Sequence, residues 1–150
     1  FQMYLARSDK AVFQARAFAV REMVGGPEHV LLVEDDPSVR SVTERGLKAR
    51  GYQVTAVWSA EDALALGDAL RSIDILVTDV RLPGISGLDL AAQLRERFPA
   101  LPILTMSGHV EDPKQQAALT AGKYAFLAKP FSLPGMLLRI REVLEGTPRP

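Results

Sequence analysis

The sequence predicts an α/β domain built as a doubly wound, five-stranded parallel sheet with helices on both faces. Five short apolar segments occur between residues 28 and 146, and a segment of helical periodicity follows each of them. These apolar segments lack the alternation of half-exposed strands, which is typical of strands buried on both faces. A chain of 150 residues is long enough for one such domain with short extensions.

The strands are predicted from runs of leucine and β-branched residues bounded by glycine, proline or polar residues. The first run, HVLLVE, ends in an acidic cluster, and the third, DILVTD, ends in Asp79. The predicted strands are residues 29–34, 53–58, 74–79, 102–108 and 124–129.

The helices are predicted from their N-terminal signals. Asp36 before Pro37 is the pattern of an N-cap followed by a first-turn proline, and Asp112 before Pro113 repeats it. Ser59 is a candidate cap for the second helix. The predicted helices are residues 38–51, 59–71 and 88–98, one that opens at Asp112, and residues 134–146.

An N-terminal extension precedes the domain. Residues 10–24 have apolar side chains at helical spacing and end at a Gly-Gly-Pro sequence, so we predict a linker helix there. Its apolar stripe needs a cover, and a second protomer is one candidate, which makes a homodimer through this helix an expectation. We divide the chain into an extension (1–27), a domain (28–146) and a tail (147–150).

Composition excludes several classes of function. Lys and Arg number 18, as do Asp and Glu, so no net charge attracts the chain to nucleic acid. The absence of cysteine excludes disulfides, thiolate metal sites and cysteine nucleophiles. The chain has only two histidines, which argues against a histidine-rich metal site. The apolar runs are far shorter than the roughly 18–20 residues that span a bilayer.

Residues that carry chemistry collect at the predicted carboxyl ends of the strands, where doubly wound sheets bind ligands. They are Glu34, Asp35, Asp36, Asp79, Ser107 and Lys129. Carboxylates without histidine or cysteine favour a hard divalent cation such as Mg²⁺, and lysine suits a compact anion such as phosphate. Asp36 is more simply a helix cap, and Pro130 favours a strained or cis peptide that aims Lys129 inward.

Four motifs, LLVEDDP, VTDVRLPGISG, ILTMSGH and FLAKPF, occur in this order, with 44 residues from Asp35 to Asp79, 28 from there to Ser107 and 22 more to Lys129. In these motifs the chain resembles the receiver domain of response regulators in two-component phosphorelays, which are bacterial signal transduction systems. The resemblance spans roughly residues 28–146 and implies the flavodoxin-like receiver fold.

The resemblance implies a role for each matching residue. Asp79 would accept a phosphoryl group from a phosphohistidine, Ser107 would bond the phosphoryl group, and Lys129 would pair with another of its oxygens. Phe126 would be an aromatic switch that changes rotamer as Ser107 moves. A serine before a glycine is also ordinary turn chemistry, and an aromatic residue in a fifth strand is also ordinary core.

The resemblance also implies a metal site. Asp35 and Asp79 would ligate Mg²⁺ or Mn²⁺ directly, Glu34 would act through water, and the backbone carbonyl of Arg81 would complete the protein ligands. No other cofactor is implied. The domain would be a switch that catalyses its own phosphorylation and dephosphorylation rather than a turnover enzyme.

The implied partner is a histidine kinase or a phosphotransfer domain that carries phosphohistidine. Residues 1–9 resemble the end of a histidine-kinase ATP-binding domain, so we predict the C-terminal receiver of a cytoplasmic hybrid sensor histidine kinase, with any membrane attachment supplied by other segments. No DNA-binding region follows Glu145 in this chain, so we expect no nucleic-acid partner for this piece.

The alternatives are a stand-alone single-domain regulator, a degenerate receiver that serves as a scaffold, and a magnesium-dependent phosphatase of similar fold. Asp79-Val80-Arg81 lacks the second aspartate of a D-x-D phosphatase motif.

Overall fold

The computed structural model describes residues 25–108 and 112–146. The predicted helix 10–24, the segment 1–9 and the tail 147–150 lie outside the described residues. The strands are β1 (His29–Val33), β2 (Gln53–Val57), β3 (Ile75–Asp79), β4 (Ile103–Ser107) and β5 (Ala125–Ala128). The α-helices are α1 (Pro37–Lys48), α2 (Ala60–Ala65), α3 (Gly87–Arg97), α4 (Pro113–Thr120) and α5 (Leu133–Gly146).

The five strands form one parallel sheet in the order β2-β1-β3-β4-β5. The chain order reverses at β1, which lies between β2 and β3. Val33 at the end of β1 pairs in register with Thr78, the residue before Asp79 on β3. The carboxyl ends of these two strands are therefore neighbours at the point where the winding direction changes, and the predicted fold class is confirmed.

Both faces of the sheet are covered. Leu31, Val33 and Leu76 belong to the buried cluster that α2 and α3 cover. Leu32, between Leu31 and Val33 on β1, and Val77, next to Leu76 on β3, belong to the cluster that α1 and α5 cover. Successive side chains of a strand point to opposite faces, so a strand buried on both sides must be apolar throughout. Each such side chain contributes roughly 1.5–3 kcal/mol of transfer free energy, which keeps the strand ends in place.

The helix caps follow the sequence signals, with one difference. The Oδ1 atom of Asp36 accepts hydrogen bonds from the backbone N–H groups of Ser38 (2.8 Å) and Val39 (3.1 Å), as predicted for an N-cap. The predicted helix 59–71 is broken, however: α2 ends at Ala65, and residues Gly67–Ser72 form a 3₁₀ helix. Gly67 has φ +57°, a left-handed conformation that ends an α-helix and that glycine adopts without steric cost.

No helix among the described residues combines the length and the apolar character that crossing a bilayer requires.

Candidate functional site

Two buried carboxylates and one lysine meet at the carboxyl ends of β1, β3 and β5. Glu34, which follows β1, is 1% exposed, and Asp79, the last residue of β3, is 7% exposed. The Lys129 ammonium donates to Asp79 Oδ2 at 2.7 Å and to Glu34 Oε2 at 3.0 Å. A single cation therefore bridges two carboxylates whose separate burial would be costly. The peptide bond between Lys129 and Pro130 is cis, one of the two conformations predicted there.

The pKa values of Glu34 and Lys129 reflect burial and pairing together. Burial raises the pKa of Glu34, and the bonds from Lys129 and from the backbone N–H of Asp36 offset only part of that rise. For Lys129, burial lowers the pKa, but the hydrogen bonds and charges of Asp79 and Glu34 outweigh burial and raise it. The lysine therefore stays charged across the physiological range, whereas the proton affinity of Glu34 is higher than usual.

An acidic cluster suited to a divalent cation lies at the same place. Glu34, Asp35 and Asp79 each offer a carboxylate oxygen, and the three oxygens lie within 4.8 Å of one another. Asp35 is exposed, so the cluster opens to solvent on one side. Oxygen donors without nitrogen or sulfur match the preference of Mg²⁺ or Mn²⁺, and an open side leaves room for the waters that Mg²⁺ retains. These residues therefore fit the predicted metal.

Further hydrogen bonds hold Asp79 and the end of β1 in place. The N–H of Arg81 donates to Asp79 Oδ1 at 3.1 Å, so Arg81 contacts the site through its backbone, while a role for its carbonyl stays a prediction. The Arg40 guanidinium donates to the backbone carbonyl of Glu34 at 2.8 Å. Arg40 lies on α1 and was not among the predicted site residues, because nothing in its surrounding sequence indicates a contact with the β1 end.

The hydroxyl of Ser107 is buried and has no partner among the described residues. The residue is 3% exposed, and its Oγ atom has no hydrogen-bond partner within the described part of the chain. Its backbone carbonyl accepts the N–H of Lys129 at 2.9 Å, which ties the end of β4 to the lysine. A buried hydroxyl without a partner costs free energy, so its presence next to Lys129 is consistent with a donor kept for a ligand.

Phe126 is a predicted site residue that is partly exposed on the sheet edge. It lies on the edge strand β5, opposite Thr105 in the register, and 36% of it is exposed. In the register, Ser107 pairs with Ala128 rather than with Phe126. The switch role of Phe126 therefore stays a prediction, although its exposure leaves room for a change of rotamer.

The loop between β3 and α3 fits tightly under Asp79. A Cβ atom at Gly87 would overlap the backbone carbonyl oxygen of Asp79, so this helix start accepts only glycine without a shift of the backbone. The N–H of Gly87 donates to the carbonyl of Val80 at 3.0 Å, which closes the base of the loop. The apex of the loop contacts Glu61 of α2, whose Oε1 accepts the N–H of Ile85 at 3.0 Å. Sequence reasoning missed Glu61, because its partner is 24 residues away.

An apolar groove of about 620 Å³ lies beside the site, between α1 and the segment after β5. Val42 is 66% exposed and presents an apolar side chain along it. Lys129 belongs both to the groove and to the bridge with Asp79. The other residues that line the groove are Ser38, Val39, Thr43, Pro130, Phe131 and Leu133.

Comparison with curated proteins gives a consistent family. The chain is 34% identical over 128 residues to the probable transcriptional regulatory protein TcrX of Mycobacterium tuberculosis, which covers 85% of this chain and 54% of that protein. It is 35% identical over 142 residues to the sensor kinase CckA of Brucella abortus, which covers 93% of this chain and 15% of that kinase. The chain therefore spans only part of the length of these relatives.

Solved structures agree with this family. A receiver domain from the hybrid histidine kinase CckA superposes with a TM-score of 0.65 at 32% identity, covering 77% of this chain and 98% of that domain. The non-phosphorylated HemR receiver domain from Leptospira biflexa superposes with a TM-score of 0.70 at 28% identity, covering 82% of this chain and 98% of that domain. The sequence model of the response regulator receiver domain matches residues 30–141. This chain belongs to the response regulator receiver domain family.

Proposed function

We propose that this chain is a phosphoacceptor in a two-component phosphorelay and that Asp79 receives the phosphoryl group from a phosphohistidine in a reaction dependent on Mg²⁺ or Mn²⁺. The observation that carries the proposal is the set of contacts around Asp79. Its carboxylate accepts hydrogen bonds from Lys129 and from the Arg81 backbone. One of its oxygens also lies within 4.8 Å of a carboxylate oxygen of Glu34 and one of Asp35. These are the positioning and charge-neutralising groups that phosphoryl transfer requires.

In the transfer step, an oxygen of the Asp79 carboxylate attacks the phosphorus in line with the phosphorus–nitrogen bond. The phosphohistidine reacts with its other ring nitrogen protonated, so that bond breaks as the oxygen–phosphorus bond forms and the imidazole leaves neutral, keeping that proton. Lys129, at 2.7 Å from Asp79 Oδ2, is within reach of a phosphoryl oxygen on this carboxylate, and the Ser107 hydroxyl is a second donor. A cation held by Glu34, Asp35, Asp79 and the Arg81 carbonyl would offset the repulsion between carboxylates and phosphoryl oxygens.

Phosphorylation then gives the Ser107 hydroxyl the partner it lacks among the described residues. A movement of Ser107 toward the phosphoryl group changes the end of β4, next to which β5 carries Phe126. We propose that Phe126, already 36% exposed, follows this movement by a change of rotamer. Phosphorylation of Asp79 would thereby change the surface that β5 exposes at the edge of the sheet.

Replacing Asp79 by asparagine is expected to abolish phosphorylation, because the amide keeps the shape but is a poor nucleophile. The parent protein, incubated with Mg²⁺ and acetyl phosphate, should take up one phosphoryl group per chain, as measured by mass spectrometry. Asp89→Asn, at an exposed position in the first turn of α3, is the matched control and should be modified like the parent. Uptake by Asp79→Asn at the parental level would contradict the proposal, and repeated turnover of phosphomonoesters would favour the phosphatase alternative.

We further propose that a helix carrying the phosphohistidine docks in the apolar groove along α1. Lys129 connects the groove to Asp79, so a helix seated there is held within reach of the phosphoacceptor. The exposed apolar surface at Val42 suits the apolar face of such a helix.

Val42→Asp should therefore slow transfer from an autophosphorylated hybrid-kinase core by about tenfold or more, since a charge in an apolar contact costs at least about 1.4 kcal/mol. Modification by acetyl phosphate should change by less than about twofold. Leu138→Asp, at a 45% exposed position on α5 that does not line the groove, is the control. Equal slowing by both substitutions would contradict docking at α1.

The parent protein is proposed to be a hybrid histidine kinase. The alignment with the Brucella abortus kinase covers 93% of this chain, about 140 residues, yet only 123 residues follow residue 27. At least about 17 residues of the extension 1–27 are therefore aligned with a sensor kinase. The match with the transcriptional regulatory protein TcrX is compatible with the alternative, a stand-alone single-domain response regulator. The coding sequence upstream of Phe1 discriminates between them, because a hybrid kinase requires a phosphorylatable histidine and an ATP-binding domain there.

A receiver that is loaded from ATP through a kinase works where ATP is abundant, so we propose the cytoplasm as its compartment. The homodimer through residues 10–24 stays a prediction, since that segment lies outside the described residues.

A further inference from the structure

Glu61 contacts the loop between β3 and α3, the loop that follows Asp79, from another part of the fold. It is the second residue of α2, and its Oε1 atom accepts a hydrogen bond from the backbone N–H of Ile85 at 3.0 Å. This bond lowers the pKa of Glu61, which favours the ionised carboxylate as the acceptor. The residue is exposed and belongs to neither core cluster, so hydrophobic packing does not explain the contact.

The loop is shaped to meet this carboxylate. Gly84 has φ +76°, which side-chain-bearing residues rarely adopt, and a Cβ atom there would overlap Glu61 Oε1. The loop apex therefore lies directly against the carboxylate. At the other end of the loop, the Gly87 N–H closes on the carbonyl of Val80 at 3.0 Å. The loop is thus held at its apex by α2 and at its base by its own backbone.

The segment between these two attachments carries Arg81. Its N–H donates to Asp79 Oδ1 at 3.1 Å, and its carbonyl is the proposed backbone ligand of the cation. A loop held at both ends restricts the rotation of the Arg81 peptide group, whereas a loop released at its apex allows that peptide more orientations.

We propose that Glu61 is a positioning residue that orients the Arg81 backbone toward Asp79 and toward the divalent cation. The proposal rests on the proposed function, because it assigns Glu61 a part in the phosphorylation of Asp79. Glu61 touches no reacting atom; it acts through the loop. Its removal should weaken the response to the cation while leaving the nucleophile in place.

The first test compares Glu61→Ala with Glu61→Gln in the Mg²⁺ dependence of phosphorylation by acetyl phosphate. Alanine removes the acceptor, and the Mg²⁺ concentration for the half-maximal rate should rise about fivefold, the effect of losing one hydrogen bond. The rate at saturating Mg²⁺ should change by less than about twofold. Glutamine keeps a carbonyl oxygen for the Ile85 N–H and should stay within about twofold of the parent. Asp68→Ala, which removes an exposed carboxylate from the neighbouring 3₁₀ helix, should match the parent.

The second test needs no cation and no phosphoryl donor. Hydrogen–deuterium exchange of the peptide spanning residues 81–87 in metal-free protein should be about fivefold faster in Glu61→Ala than in the parent, and unchanged in Glu61→Gln. Exchange in β1 and β3 should be the same in all variants, which separates loop release from general destabilisation.

The outcomes distinguish this inference from the proposed function. A parental Mg²⁺ dependence and parental loop exchange in Glu61→Ala would overturn the role of Glu61, while phosphorylation that needs Asp79 would still stand. A Glu61→Gln variant as impaired as Glu61→Ala would also overturn it, because the negative charge rather than the hydrogen bond would then matter. Phosphorylation that persists in Asp79→Asn would refute the proposed function itself, whatever Glu61 does.

Discussion

Replacing Lys129 by methionine is expected to lower the free energy of unfolding by about 2–3 kcal/mol at neutral pH and to slow phosphorylation by about 100-fold. Methionine keeps the length of the side chain but removes the cation that bridges Glu34 and Asp79 at 3.0 and 2.7 Å. Two carboxylates that are 1% and 7% exposed then face each other without compensation. The loss of rate is the size expected when a donor to the transferred group is removed.

The stability deficit of Lys129→Met should depend on pH. The pKa of Glu34 is raised in the folded state, so its ionisation costs stability, and this cost appears as the pH rises through the folded pKa. In the parent, Lys129 offsets the cost; its own pKa is raised, so its contribution is fully present below its unfolded pKa of about 10.4 and is lost only above the folded value. The variant lacks this offset. The difference from the parent should therefore be small near pH 4 and larger at pH 7–8.

Urea unfolding of both proteins at the two pH values measures this difference. Lys48→Met is the control, since Lys48 is 53% exposed and pairs with Glu44 on the surface of α1 at 2.7 Å. Its loss should cost no more than about 0.5 kcal/mol at either pH. A Lys129→Met deficit that is the same at pH 4 and pH 8 would show that the lysine does not act by compensating Glu34.

Gly87→Ala is expected to destabilise the protein by about 3 kcal/mol and to impair phosphorylation together with stability. The added Cβ would overlap the backbone carbonyl oxygen of Asp79 and would come within 3.0 Å of Thr78 Oγ1. Neither contact is the end of a flexible side chain, so relief requires a shift of β3 or of the start of α3. Such a shift moves Asp79, the proposed phosphoacceptor, relative to Lys129.

Gly146→Ala is the matched control, because it makes the same substitution at the end of α5, where a Cβ atom meets nothing within 4 Å. Its thermal midpoint should stay within a few degrees of the parent, since alanine also favours the helix. A Gly87→Ala variant that unfolds at the parental temperature and accepts phosphoryl groups at the parental rate would show that the close approach of α3 to Asp79 matters for neither stability nor phosphorylation.

Local signals in the sequence predicted much of the fold. The caps at Asp36 and Ser59 were predicted because capping depends on residues within one helical turn, and the structure confirms both. The break at Gly67 was missed because helical periodicity continues across it, and only the observed left-handed φ marks the end of α2. The same bonds make Asp36 a helix cap, whereas Glu34 and Asp35 belong to the acidic cluster proposed to bind the cation.

Contacts between distant segments decided the geometry of the site. Lys129 is 95 residues from Glu34 and 50 from Asp79, and the topology rule predicts that their strand ends meet but not that one ammonium bridges both carboxylates. The contact of Glu61 with Ile85 follows from the docking of α2 beside the loop, for which no local pattern exists. The exposure of Phe126 depends on β5 being an edge strand, which is a property of the sheet order.

The sequence by itself determined that this chain folds as a doubly wound α/β domain and which residues gather at the strand ends, because strand and helix periodicity and caps are short-range properties. Only the tertiary structure decided how those residues share charge, that the buried Ser107 hydroxyl has no partner among the described residues, and how the loop after Asp79 is held. The physical reason is that hydrogen bonds and ion pairs depend on distances of a few tenths of an ångström, and such distances between distant segments arise only when the whole sheet and its helices pack together.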